Sequence, residues 1–230
     1  MTLVEICVDD VAGARTAEAC GADRVELCAD LLEGGITPSI GMVRTALAAV
    51  DRVGVQVLIR PRGGDFVYDA DEVATMLADM DAVRRLPSSV PVGFVINALT
   101  ADGRVDEGVT ARLVEASAGA PTTFSRAFDE VADQRAALDT LARLGVHRVL
   151  TAGGRGAAAD HHDRLRSLVD HAGARIIVLA AGGVRATNVA ALVEQTRATE
   201  VHLRSPDEVD GRSRTSGAGI EAVLAAVGRR

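Results

Sequence analysis

Val4-Glu5-Ile6-Cys7-Val8 breaks off at Asp9-Asp10, and the same event recurs along the chain. Val25 to Cys28 leads into Glu33-Gly34-Gly35, and Val55 to Ile59 runs into Arg60-Pro61-Arg62-Gly63-Gly64-Asp65. Phe124-Ser125-Arg126, Val149-Leu150-Thr151-Ala152-Gly153-Gly154, and Ile176 to Leu179 before Gly182-Gly183 repeat it. Ala-rich stretches with helical periodicity separate these apolar runs, which is the pattern of βα units around a parallel sheet. In such folds the ligand site lies at the carboxyl ends of the strands, so the chemistry is expected there.

Working outward, strands are expected at 3–8, 24–28, 55–60, 91–96, 122–125, 147–151, 175–179 and 199–203. The helices between and after them are expected at 9–20, 40–51, 71–85, 107–117, 129–144, 159–171, 187–195 and 217–227, with a polar loop at 204–216. Val73, Met76, Leu77 and Met80 show the three- and four-residue spacing that covers a sheet. Eight strands, eight helices and glycine exits predict an α/β fold, a (β/α)8 TIM-type barrel, as a single domain over 1–230. Residues 206–230 are expected to supply a loop and the helix that completes the barrel.

Composition removes several function classes. A net charge of −7 and a single tyrosine with no tryptophan argue against nucleic-acid binding. No apolar run approaches the ~18–20 residues that span a bilayer, so no membrane partner is expected. The start at Met1-Thr2-Leu3-Val4-Glu5 lacks a leader pattern, and a cytoplasmic location is expected. All 25 Lys+Arg residues are arginine, which excludes Schiff-base lysine chemistry and a P-loop. Fixed positive charge in a site must come from guanidinium groups, which suit carboxylate or phosphate partners.

Residues two apart share a face of a strand. Glu5 with Cys7, Arg24 with Glu26 and Cys28, Gln56 with Leu58 and Arg60, and Glu200 with His202 then point into the barrel. Ile6, Val25, Leu27, Val57 and Ile59 face the helices. Buried charges need partners, so Glu5 and Glu26 are expected to meet Arg24, Arg60 or Arg126. Two readings stand: a self-satisfied ionic plug, or an anion- or metal-binding site above such a network.

Glycine pairs at 34–35, 63–64, 153–154 and 182–183 permit close approach or tight turns, and Gly182-Gly183 stands where barrels often bind phosphate. Cys7 and Cys28 end neighbouring strands, ~4.8 Å apart, where two thiols can share one soft ion, monovalent copper above all. The alternative is that both are small core fillers, and Cys20 is expected to pack. His202 is the one histidine expected at the active face, whereas His161-His162, His147 and His171 are expected on helical or amino-end surfaces.

The same blocks resemble the CutC family, long labelled copper-homeostasis proteins. The matching residues are Glu5-Ile6-Cys7, Gly21 to Cys28, Glu33-Gly34-Gly35-Ile36-Thr37-Pro38-Ser39 with Gly41, and Ile59-Arg60-Pro61-Arg62-Gly63-Gly64-Asp65-Phe66. Leu99-Thr100, Asp102-Gly103, Arg126-Ala127-Phe128-Asp129, Arg148-Val149-Leu150-Thr151, Gly153-Gly154, Gly182-Gly183 and His202 extend the likeness from residue 3 to about 205. The resemblance implies a cytoplasmic barrel that forms a homo-oligomer, a dimer or tetramer, and binds copper. One position departs: Ser125 stands where the family usually carries histidine.

Two functions follow as expectations. The first is an intracellular copper-homeostasis protein holding copper(I) on Cys7 and Cys28. The second is a barrel enzyme acting on a small anionic metabolite, a carboxylate or phosphate. There Glu5, Glu26 and Arg60 would be catalytic, and Arg62, Asp65, Arg126, Asp129, Gly182, Gly183 and His202 would bind substrate.

Overall fold

A computed structural model describes residues 1–229. Its elements alternate as the sequence pattern requires. They are β1 (Leu3–Val8), α1 (Val11–Cys20), β2 (Arg24–Leu27), α2 (Ile40–Leu47), β3 (Gly54–Leu58), α3 (Ala70–Arg84), β4 (Val92–Ile96), α4 (Glu107–Ala116) and β5 (Thr122–Phe124). Then follow α5 (Gln134–Arg143), β6 (Arg148–Thr151), α6 (His162–Ala172), β7 (Ile177–Ala180), α7 (Val189–Thr196) and β8 (Glu200–Leu203). A hairpin, β9 (Pro206–Val209) and β10 (Arg212–Thr215), precedes α8 (Gly217–Ala226). Strands β1 to β8 close in sequence order, β8 pairing parallel with β1, so the fold is a (β/α)8 barrel. No helix among the described residues is long and apolar enough to cross a membrane.

Helix starts follow from local chemistry. The first amides of a helix lack partners within it, and a short polar side chain can accept from them. Asp10, Ser39, Asp106, Asp133 and Ser216 each do so, and Asp69 with Glu72 completes a capping box on α3. Two helices begin three or more residues later than the sequence pattern suggests. α5 starts at Gln134 rather than Asp129, because Asp133 supplies the cap while Asp129 sits in a 3-10 turn, Arg126–Glu130. A second 3-10 turn, Ala158–Asp160, similarly precedes α6.

The expected loop at 204–216 holds the β9–β10 hairpin instead. Asp210 and Gly211 take φ of 51° and 70°, the left-handed pair that a two-residue hairpin turn demands. The hairpin is tied to α1 by an ion pair between Arg214 and Asp10 at 3.0 Å.

Strand alternation divides the buried residues into two compartments. Ile6, Val25, Leu27, Val57, Ile59, Phe94, Ile96 and Phe124 face the helices and join one continuous apolar cluster with Val43, Met76, Leu113 and Leu138. The barrel interior is different. Its upper half carries Cys7, Cys28, Leu58 and Val95 on one side and Leu150, Leu179 and Ala181 on the other. Its lower half is ionic. Arg24 bonds Glu5, and its Nη2 meets Glu200 at 2.7 Å, while Arg148 Nε reaches Glu200 at 3.0 Å.

Interior packing makes one glycine irreplaceable. A Cβ on Gly93 would stand 2.3 Å from Gln56 Oε1 and 2.5 Å from the Pro121 carbonyl oxygen. Gly93→Ala should therefore destabilise the barrel by ~1–3 kcal/mol through overpacking, read from urea unfolding. Gly41, inside α2, has its nearest neighbour at 3.9 Å, so Gly41→Ala should raise stability by up to ~1 kcal/mol. Effects of the same sign at both positions would refute this account of the interior.

Candidate functional site

Six of the charged, thiol and imidazole residues singled out in the sequence line one cavity of about 150 Å³ at the strand ends: Cys7, Glu26, Cys28, Arg60, Arg126 and His202. Register explains the convergence. Cys7 on β1 stands beside Glu26 on β2, and Glu5 on β1 stands beside His202 on β8. Cys28 follows directly on β2, and its Sγ lies 3.8 Å from that of Cys7.

His202 is the pivot of the polar set. Its Nδ1 donates to Glu5 Oε1 at 2.8 Å, and its Nε2 is 3.5 Å from Glu26 Oε2. One ligand atom each from Cys7, Glu26 and His202 lies within 4.8 Å of the others, all buried. Cys7 thus belongs to two sets, the thiol pair with Cys28 and the mixed triad with Glu26 and His202.

Burial and contact set the charge states. Burial alone would raise Glu5, but the His202 hydrogen bond and the Arg24 guanidinium outweigh it and lower its pKa to about 2. Glu26 goes the other way: burial, then negative charge at Cys7, push it up to about 8. The two thiols are coupled: the contact between them lowers Cys7 to about 5, and the same contact with burial holds Cys28 well above the usual thiol range. For His202 burial works against charge, yet hydrogen bonds with Cys7 and Glu5 raise its pKa well above the ordinary imidazole value. These directions favour a thiolate at Cys7 beside an imidazolium at His202, the microenvironment that makes a cysteine a ligand or nucleophile. Two sulfurs 3.8 Å apart can both touch one ion at metal–sulfur bonds of ~2.3 Å. Sulfur with imidazole is a soft to borderline donor set, suited to monovalent copper.

Several expected members are elsewhere. Glu5 lies one step deeper, bonded to Arg24 and His202. Glu26 meets His202 and Cys7 rather than an arginine. Arg62 stacks over Tyr68, 5.4 Å from the ring centre, and pairs with Glu72 and with exposed Asp65. Neither Arg62 nor Asp65 reaches the cavity, because the chain turns outward after Arg60 and Tyr68 gives that guanidinium a face. Asp129 is buried in the wall, accepting from Thr151 Oγ1 at 2.5 Å and from the Ala152 amide at 3.1 Å, so it braces the loop after β6. Gly182 packs against Ala152 and Gly156, and Gly183 against Ala157, so this pair shapes a loop and does not line the cavity.

Asn97 lines the cavity and was not singled out from sequence, although it shares the inward face of β4 with Val95. Ser125 also lines it, accepting from the Ala127 amide at 3.2 Å. Arg60 closes the mouth: Nη1 donates to the carbonyls of Glu33 and Gly35, Nη2 donates to that of Gly64, and the group lies 4.8 Å from the centre of the Phe66 ring. Gly35 at φ +91° lets that loop approach, since a Cβ there would stand 2.9 Å from Leu58 Cδ2 and 3.7 Å from Cys28 Sγ.

Comparison with known proteins gives a consistent picture. The CutC family model matches residues 2–206. A CutC family protein of Mesorhizobium japonicum is 45% identical over 214 residues, 93% of this chain and 81% of the relative. The mouse copper homeostasis protein cutC homolog is 42% identical over 225 residues, 97% of this chain and 81% of its own. The crystal structure of CutC from Streptococcus agalactiae superposes with a TM-score of 0.82 at 32% identity, covering 88% of this chain and 98% of that one. Phosphoribosyl anthranilate isomerase from Thermus thermophilus, at TM-score 0.61 and 16% identity over 99% of this chain and 98% of that one, shares the fold alone.

The raised pKa of Glu26 carries a sign that can be measured. A carboxyl that holds its proton more tightly when folded contributes full stability below its unfolded value of 4.5 and loses it as pH rises toward about 8. Copper-free Glu26→Gln should match the parent near pH 4 and exceed it increasingly up to about pH 8, by at most ~1.4 kcal/mol per pH unit. A gap that stays constant or narrows over that range in denaturant melts would show that Glu26 is not a buried, protonated acid.

Proposed function

The chain belongs to the CutC family, and from that footing we propose that it is a copper-homeostasis protein that binds the monovalent ion at the barrel mouth. The observation that carries this reading is the Cys7–Cys28 pair, buried, not joined by a disulfide and 3.8 Å apart in sulfur. Copper is cargo here, not a resident cofactor. The two sulfurs would hold it, with His202 and Glu26 beside Cys7 as nitrogen and oxygen donors.

The chemistry of loading follows from the neighbours. Binding requires thiolates, and Cys7 is already inclined to lose its proton while Cys28 holds one. Loading the pair as thiolates therefore releases the proton that the coupled thiols retain. Ser125 offers a hydroxyl in place of an imidazole, which leaves His202 as the cavity's histidine among the described residues.

A working place in the cytoplasm fits this reading, since a thiol pair must stay reduced to take a soft ion. One domain over 1–230 and assembly into a homo-oligomer, a dimer or tetramer, are part of the proposal on the strength of the family resemblance.

Anaerobic titration with monovalent copper against a competing chelator tests the site. One ion per chain should bind, and Cys7→Ser/Cys28→Ser should weaken binding beyond the ~10–100-fold typical of losing an outer-shell partner. Cys7→Ser alone should cost more affinity than Cys28→Ser, because Cys7 belongs to both donor sets. Undiminished affinity in the double variant would remove copper from this cavity.

A further inference from the structure

The cavity holds more fixed positive charge than a thiol site requires. Arg60 is only 6% exposed, and among the described residues no carboxylate lies within ion-pair distance of it. All three of its hydrogen bonds end on neutral backbone carbonyls. A buried guanidinium served only by neutral acceptors is costly, and an anionic partner relieves that cost. Arg126, from the turn after β5, lines the same cavity, half-exposed and held by Asp129 and the Gly156 carbonyl.

Other features of the cavity select among anions. Leu58, Leu150 and Phe66 give it an apolar wall, and Asn97 and Ser125 add polar groups. At about 150 Å³ it is well below the ~300–1,000 Å³ of sites for drug-sized molecules, which excludes a nucleotide. Phosphate is commonly held by free backbone amides. Here the amides of Gly34, Gly35 and Ser125 are already committed, to Leu31, Asp30 and Ile96 carbonyls. Guanidinium groups over an apolar wall suit a planar carboxylate on a short carbon body instead.

We propose that this cavity is a binding site for a small organic monocarboxylate, whose anionic end meets Arg60 and Arg126 and whose body lies on Leu58, Leu150 and Phe66. The site uses the arginine side of the cavity and does not depend on copper being bound. One other source of negative charge exists: a copper ion held by two thiolates is itself anionic, and the arginines would then serve the metal.

Calorimetric titration of the copper-free protein with 2-oxobutyrate separates these cases. Saturable binding in the millimolar range or tighter is expected in the parent and in Cys7→Ser/Cys28→Ser. Arg126→Ala, chosen because that side chain is half-exposed while Arg60 ties two loops together, should weaken it about tenfold or more, ~1.4 kcal/mol. Inorganic phosphate should bind more weakly than 2-oxobutyrate. The proposal is overturned if neither 2-oxobutyrate, propionate nor pyruvate binds saturably, if Arg126→Ala binds as the parent does, or if phosphate binds more tightly than all three acids. Loss of binding in the folded double-serine variant also overturns it. So does an Arg126→Ala variant that loses copper affinity and leaves the carboxylate titration unchanged, which would assign the arginine to the metal. A failed carboxylate titration leaves the copper titration untouched, so the two readings fall separately.

Discussion

Glu5 is the residue on which the rest of the interior depends. It is turned toward Arg24 on one side and accepts the Nδ1–H of His202 on the other, 2.8 Å away. Arg24 is shared with Glu200, which also takes Arg148, so two acids and two guanidinium groups neutralise each other in the lower barrel. That half of a barrel is normally filled with branched apolar side chains. A buried ionic network need not outperform such a core in stability. What this one does is orient His202 and, through Glu5, favour its charged form, which in turn helps to lower Cys7 beside it. The plug and the site are therefore one system: the self-satisfied network at the bottom is the support for reactive groups above it.

A second constraint closes the mouth. The loops after β2 and β3 both reach the cavity, where Leu31, Gly34 and Phe66 line it. One guanidinium, that of Arg60, ties the carbonyls of Glu33, Gly35 and Gly64 together. The glycine pair of the first loop fits that close approach. Gly34 has Arg60 Nη1 3.3 Å from where a Cβ would stand, and Gly35 lies against Leu58 and Cys28. Close approach is what these glycines supply, and it holds Arg60 at the cavity that the two thiols also line.

Much of this was readable from residue order, for a physical reason. A parallel strand buried on both faces still alternates, so polar residues at Glu5, Arg24, Glu26, Gln56, Glu200 and His202 mark the inward face. Which of them meet was not readable, because partners depend on the register between strands far apart in sequence; Glu26 meets His202, not an arginine. Adjacency in sequence misled at Arg62 and Asp65, which follow Arg60 closely but turn outward onto Tyr68 and Glu72. The hairpin at Asp210-Gly211 carried its turn signal openly, yet Pro206-Asp207-Glu208 and Arg212-Ser213-Arg214 lack the apolar alternation that marks a strand. Asn97 is not legible from the sequence because Gly93 and Val95, its companions on the inward face, carry no polar group that marks the strand as part of a site.

The two proposals put copper and an organic acid in one small cavity, and electrostatics treats the two alike. A monovalent ion on two thiolates carries one net negative charge, as a carboxylate does, and either satisfies a buried arginine that has only carbonyls around it. The volume of about 150 Å³ leaves little room for both at once. Each occupant would then lower the apparent affinity of the other by reciprocal linkage. Such competition would let the supply of a small acid set how firmly copper is held, with no movement of the barrel required.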